Sequence, residues 1–388
     1  MTKVKLIQFL RKLKRKIYYH NPLIRVLVYK NNLLHNLHEY QNKFPNYKIA
    51  PVLKSNAYGH GLIEVAKILK NENVPFLVID SLFEARALRS TGIKNDLLII
   101  GYAQPEEIIK NKLKNVSFVI TSLEQLQELA GSLASLGMTL KKKVHLKIDT
   151  GMHRQGILVS KIDQAIEIIK KSQNLKLEGI CSHLADADSE NSDFTEKQIE
   201  VWNNVVEKIK SKFNFIKYFH ISASAGSAFL EKANCNLVRL GIGLYGFNLS
   251  PHIDLNLKPV LEVRTIITGI KKIKARDSVG YNATFTADKD MTVATLPVGY
   301  FEGIPRRLSN KGFVKTRNNF CKILGRVSMN ITSIDLSEIP DVKTGNEVVV
   351  ISSDSSDKNS VENNAKICNT IPYEILVDIP QHLKRIVK

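Results

Sequence analysis

Lys54 closes an apolar run, Ile49 to Leu53, and a polar, glycine-flanked turn follows it. A lysine at the carboxyl end of a buried strand is costly unless it has a partner or a task. An amine held in such a pocket can lose its proton and attack a carbonyl, giving a Schiff base. It can also simply snorkel at a rim. Asp149, His183, the pair Ser222 and Ser224, and Arg239 stand in the same relation to other apolar runs. Arg154 lies in the glycine-rich loop Asp149 to Gly156, where its guanidinium can fork onto a carboxylate or phenolate oxygen. Ser222 and Ser224 open a short helical pattern, and hydroxyls with free amides at such a start suit a phosphate. Taken singly, His183, Arg239 and Tyr300 fit packing or rim positions as well as chemistry. The convergence of Lys54, Asp149, His183, Ser222 with Ser224, and Arg239 on strand ends favours chemistry.

The strands that would carry these residues are Lys48–Leu53, Pro75–Ile79, Leu97–Ile100, Ser117–Ile120, Val144–Ile148, Leu177–Cys181, Ile216–Ile221 and Leu237–Arg239. Helical patterns alternate with them, among them Leu82–Ser90, Ser122–Leu136, Ile162–Lys171 and Thr195–Ile209. Short buried strands separated by helices imply a parallel sheet. Eight of them are the number that closes a barrel, whose strand ends all face one mouth. The rival is a doubly wound open sheet, but no Gly-x-Gly-x-x-Gly follows an early strand. Ahead of these lie a short strand, Leu27 to Tyr29, and a helix face of Leu33, Leu34, Leu37 and Tyr40. Near Pro259 the pattern changes to strand and turn: Val263–Ile270, Met291–Pro297, Phe320–Gly325, Met329–Leu336 and Glu347–Ile351. This reads as a mostly β second domain. The expected division is a basic arm over 1–25, an α/β barrel over 26–258 and a β domain over 259–388.

The chain has 388 residues, 44% of them hydrophobic, which is ample for a large core. No apolar run approaches the roughly 18 residues of a membrane span. The basic arm lacks a clean apolar segment and a small-residue cleavage site, which argues against a secretory signal. Its apolar residues leave an amphipathic, membrane-touching helix as a weak possibility. The formal net charge of +19 invites a nucleic-acid reading. The lysines are spread over many helices without interleaved aromatics, so a solvated surface explains them. Cys181, Cys235, Cys321 and Cys368 are far apart, giving neither a metal knuckle nor a dense disulfide framework. A reducing compartment follows.

Several stretches resemble the alanine racemase family. Lys54-Ser55-Asn56-Ala57-Tyr58-Gly59-His60-Gly61 is similar to its attachment motif for pyridoxal 5'-phosphate (PLP). Lys147-Ile148-Asp149-Thr150-Gly151-Met152-His153-Arg154-Gln155-Gly156 resembles its arginine loop. Asn236 to Gly246, Leu296-Pro297-Val298-Gly299-Tyr300, Gly325 to Asn330 and Thr370 to Glu374 match further motifs in the family's order. The resemblance runs from about Val26 to Arg385. It implies an N-terminal (α/β)8, TIM-like barrel and a C-terminal mostly β domain, joined head to tail in a homodimer. Lys54 would be the cofactor lysine, with Tyr58, His183, Ser224, Arg239, Tyr373 and the backbone amides of Gly241 and Ile242 also at the cofactor. His183 would lie beside the ring, Ser224 at the phosphate and Arg239 at the pyridine nitrogen, which an arginine leaves unprotonated. Arg154 and the Met329 amide would contact substrate, and Lys147 matches a lysine carbamylated in several members. Lys54 and the partner subunit's Tyr300 would be the two bases that interconvert L- and D-alanine. The product would feed peptidoglycan synthesis in a bacterial cytoplasm, with no metal, nucleic acid or membrane involved. Serine or broader racemisation, decarboxylation and a non-catalytic PLP carrier are the rival readings. Ala223, Glu302 and Asn330 depart from the residues usual in the family.

Overall fold

Leu77–Ile79 and Val116–Ile120 bury every residue, as strands must when both sheet faces are covered. The computed structural model describes residues 22–135 and 141–388. The apolar residues of the basic arm up to residue 21 lie outside these.

The first described strand, β1 (Arg25–Val28), precedes the helix Lys30–Lys43. The parallel strands are then β2 (Lys48–Pro51), β3 (Leu77–Ile79), β4 (Leu97–Ile99), β5 (Val116–Ile120) and β6 (Lys142–Asp149). After the two-residue β7 (Ile157–Leu158) come β8 (Leu175–Cys181), β9 (Tyr218–His220) and β10 (Leu237–Leu240). Their neighbours run β10-β2 and β3-β4-β5-β6-β8-β9. The two pieces join where Val52 bridges Val78 and the Leu53 N–H donates to the Val78 carbonyl at 2.7 Å. They meet again where the N–H groups of Asn236 and Arg239 donate to the carbonyls of Phe219 and Ser222. This closes the barrel on the eight strands expected from the sequence. Helices cover it with apolar stripes at helical spacing, such as Ile162, Ala165, Ile166 and Ile169.

The second sheet has nine strands. It is built from β11 (Leu261–Ile266), β12 (Gly269–Ile273), β15 (Met291–Leu296), β16 (Phe313–Thr316), β17 (Asn319–Leu324), β18 (Thr332–Asp335), β19 (Glu347–Ile351), β20 (Lys384–Val387) and β1. Between β12 and β15 the short hairpin of β13 (Ser278–Val279) and β14 (Phe285–Thr286) stands apart. The helices Val361–Cys368 and Pro372–Val377 follow β19.

Three expectations need correction. The strand near Leu27 does not belong to the barrel: β1 pairs antiparallel with β11 and parallel with β20. The single run Val263–Ile270 is two strands, because Ile267 and Thr268 turn out to bond Asn346 and Thr295 in different parts of the sheet. Only Thr332–Asp335 of the run Met329–Leu336 is strand, since the Ser328 N–H donates to the Ile331 carbonyl and makes a turn of the rest. One apolar core runs through both parts, including Val26, Val28, Leu53, Leu261 and Leu376. Among the described residues no helix is long and apolar enough to cross a membrane.

Candidate active site

Lys54 leaves β2 into a turn of unusual hand. Ser55, Asn56, Ala57 and Tyr58 have φ of 57°, 55°, 52° and 52°. A left-handed turn costs roughly 1–2 kcal/mol for each residue with a Cβ, so the surroundings must impose it. The Ala57 N–H donates to the Leu53 carbonyl at 2.8 Å and the Leu62 N–H to Asn56 Oδ1 at 3.0 Å. Gly59 ends the turn at φ 81°, where a Cβ would collide with the Leu376 carbonyl oxygen. The Glu84 carboxylate accepts the Ser55 N–H, and Arg385 donates to the Gly59 carbonyl. Sequence reasoning missed both of these residues. Their only signals were a serine–glutamate spacing typical of a helix cap and a lone arginine in a charged terminal stretch.

Arg239, on β10, lies buried across the barrel mouth. Its two terminal nitrogens donate to five acceptors: the His220 carbonyl and Nδ1, both at 2.7 Å, the Ser182 and Ile221 carbonyls, and His183 Nδ1 at 3.1 Å. Its Nε–H takes part in none of these bonds. All five acceptors are neutral, so the cation has no charged partner among them. Burial and the Arg239 charge push the His183 imidazole down to about 3 and hold His220 well below its ordinary range. Both rings are therefore neutral, with Nδ1 accepting. His220 then carries its proton on Nε2 and donates it to His145 Nδ1 at 2.8 Å. His145 and His220 are further residues that sequence reasoning missed.

The next turn over forms a cradle. Ser224 Oγ accepts the N–H groups of Gly241 at 3.0 Å and Gly243 at 3.1 Å. The Gly241 amide, expected at a phosphate, is thus engaged within the chain. Ser222 Oγ is buried with no partner among the described residues. A Cβ on Gly241 would come within 2.8 Å of Tyr58 Oη, so the glycine keeps the space beside that hydroxyl open. Tyr58 packs against Tyr245 and Tyr373 at ring distances of 5.0 and 5.9 Å. Burial pushes the Tyr373 phenol up to about 12, and raises Tyr58 as well, so both hydroxyls remain protonated donors. A buried cation, an orphaned hydroxyl and phenol donors around a glycine-lined space fit an anionic, aromatic cofactor such as PLP.

Arg154 is exposed on a loop pinned at Gly156, whose Cβ would meet the Asp149 N at 2.5 Å. Lys147 Nζ donates to Gln155 Oε1 at 3.3 Å. Burial, with the nearby charges of Arg239, Arg154 and Lys54, lowers the Lys147 amine. Tyr300 and Met329 sit together elsewhere, 44% and 55% exposed. Gly299 lets the two chain segments touch: the Tyr300 and Phe301 N–H groups donate to the Ser328 and Met329 carbonyls at 3.0 and 2.9 Å. Beneath them Glu302 accepts from the Gly299 N–H and from the Asn330 side-chain amide. Among the described residues no hydrogen bond joins this pair to the Lys54 group. No set of three or more His, Cys, Asp or Glu side chains there is arranged to hold a metal.

Two family models match the chain: "Alanine racemase, N-terminal domain" over residues 28–249 and "Alanine racemase, C-terminal domain" over residues 260–387. The alanine racemase of Borreliella burgdorferi is 38% identical over 372 residues, covering 93% of this chain and 96% of its own. That of Fusobacterium nucleatum is 37% identical over 364 residues, covering 92% and 98%. Among solved structures, alanine racemase from Clostridium difficile 630 matches with a TM-score of 0.87 at 30% identity, covering 95% and 96%. Alanine racemase from Bacillus anthracis with bound L-Ala-P matches with a TM-score of 0.86 at 27% identity, covering 95% and 96%.

Proposed function

The chain belongs to the alanine racemase family, and from that premise we infer that it interconverts L- and D-alanine with PLP and so supplies D-alanine for peptidoglycan. The observation that carries this reading is the joint match of both halves of the chain, with Lys54 and the buried Arg239 at one barrel mouth. PLP, when bound, withdraws the electron pair left on the α-carbon as its proton departs.

The chain's own residues do the rest. Lys54 would hold the cofactor, Ser224, Ser222, Tyr58, Tyr373 and the Ile242 amide would bind its phosphate, and Arg239 and His183 would face its ring. The Gly241 amide acts there through Ser224 Oγ, to which it donates. An arginine cannot give up its proton, so Arg239 would offer an N–H to the ring nitrogen without protonating it. Arg154 and the Met329 amide orient the substrate carboxylate. Lys147, whose burial favours the neutral amine that carbamylation requires, supports Arg154.

Inversion needs a proton removed from one face of the α-carbon and delivered to the other. Lys54 serves one face, taking the proton of D-alanine. The partner's Tyr300 serves the other, taking that of L-alanine. The exposure of Tyr300, with no hydrogen bond from it to the Lys54 group among the described residues, supports a homodimer with two composite sites. The two family matches support a division into a barrel over 26–258 and a β domain over 259–388, with β1 lent to the second sheet. The four free cysteines support a bacterial cytoplasmic setting.

The test is direct. Purified protein should absorb as a lysine-bound PLP enzyme, and incubation with L-alanine should yield D-alanine. Borohydride reduction should leave pyridoxyl on Lys54 by peptide mapping. PLP-loaded protein that leaves L-alanine unchanged would reject the activity, and pyridoxyl on another lysine would reject the assignment of Lys54.

A further inference from the structure

Glu84 is a buried carboxylate that the reaction does not use. It is 8% exposed, and its described partners are all backbone N–H groups. Ser81-Leu82-Phe83-Glu84 has the spacing of a capping box, in which the glutamate would return to the serine's own N–H. Half of the box forms, since Ser81 Oγ accepts the Glu84 N–H at 3.4 Å. The carboxylate goes elsewhere. Oε2 accepts the Asp80 N–H at 2.7 Å, and Oε1 accepts the Ser55 N–H at 2.8 Å, 29 residues upstream.

Ser55 follows Lys54 and opens the left-handed turn. The first N–H groups of any helical turn have no partner within it, and its last carbonyls are likewise open. Here a carboxylate takes the N–H end. At the other end the Gly59 carbonyl accepts from Arg385 Nη2 at 2.7 Å and Nε at 3.1 Å. Arg385 is itself held by the carbonyls of Ile379, Pro380 and Leu383, on the second domain. Negative charge at the N–H end and positive charge at the carbonyl end match the dipole of the turn. Burial raises the Glu84 carboxyl, against the backbone N–H groups that stabilise its charge. A surface capping glutamate would bear no such desolvation.

We propose that Glu84 and Arg385 are positioning residues for the reaction: they grip the two ends of the left-handed turn and thereby fix where the Lys54 amine points. This rests on the reading of Lys54 as the cofactor lysine and acting base. Misplacing a reacting group by about 1 Å can cost about a hundredfold in rate, so a strained turn needs such anchors.

Glu84→Gln preserves shape but has one acceptor oxygen for two N–H groups, and its own amide faces the other. Arg385→Lys keeps charge but loses the fork. Each holoenzyme is assayed in both directions, alongside the rate at which its PLP-free form acquires borohydride-trappable cofactor. For Glu84→Gln, kcat should fall about tenfold or more in both directions with the KM for alanine within about threefold, and cofactor capture should slow in parallel. Arg385→Lys should show the same pattern at smaller size. If Glu84→Gln fails to fold, Glu84→Asp and Arg385→Lys decide by the same measurements. Rates and capture within twofold of wild type in both variants, whatever the change in Tm, would reduce the pair to a stability device and overturn the proposal. Peptide mapping of the reduced wild type separates the two readings. Pyridoxyl off Lys54 removes the underlying assignment, whereas pyridoxyl on Lys54 with unchanged kinetics removes only the grip.

Discussion

Asn330 donates its side-chain amide to Glu302 Oε1 at 2.6 Å, while Oε2 of the same carboxylate accepts the Gly299 N–H at 2.8 Å. These two residues are two of the three departures from family usage noted in the sequence, and the structure makes them partners. Together they brace the turn that carries Tyr300 against the one that carries Met329. An aspartate at 330 would set two carboxylates against each other, which raises the pKa of the pair in the folded state. A group raised on folding gives stability that is present at low pH and lost as pH rises through its folded pKa. Asn330→Asp should therefore lower stability by about 1 kcal/mol at pH 8, a modest figure because Asn330 is exposed, and by less at pH 5. Thermal unfolding at the two pH values checks this, and an equal loss at both would exclude like-charge repulsion as the cause.

At the scale of elements, the left-handed turn after β2 decides how the amine is presented. Gly59 is its fixed point, by its φ of 81° and by the Leu376 carbonyl against it. Gly59→Ala should cost at least about 2 kcal/mol in denaturant unfolding and weaken PLP binding, read by titration of the PLP-free protein. Unchanged PLP affinity in a folded variant would mean that the turn tolerates displacement. The barrel strands were legible because they are short and mostly apolar and most end on a polar residue, and that same pattern exposed Lys54, His183 and Arg239. The turn was not legible: Ser55 to Tyr58 contain no glycine, and of their types only that of Asn56 adopts positive φ readily. Glu84 was hidden for a related reason, since local spacing suggests a cap while its acceptor role depends on a segment 29 residues away. The sheet membership of β1 was equally out of reach, because its partners, β11 and β20, lie far along the chain.

At the scale of the molecule, Lys54 lies at the barrel mouth and Tyr300 on an exposed turn of the second domain, and the proposed reaction needs both. A mixing experiment reads their relation. Lys54→Ala and Tyr300→Phe proteins should each be nearly inactive, and their heterodimer should regain about half the wild-type activity through one intact composite site. No recovery, where native mass spectrometry proves heterodimers, would place Tyr300 in its own subunit's site. The grip of Arg385 on Gly59 has a consequence in time as well as in space. The two residues are 326 positions apart. A ribosome adding about 5–20 residues each second needs roughly 15 to 65 seconds to travel between them. Throughout that interval the nascent turn lacks its second anchor, and β1 lacks its β20 neighbour, having β11 only for about the last third of it. Lys54 is among the early residues to be synthesised, so a chain interrupted before β20 presents it on a turn that Arg385 does not yet hold.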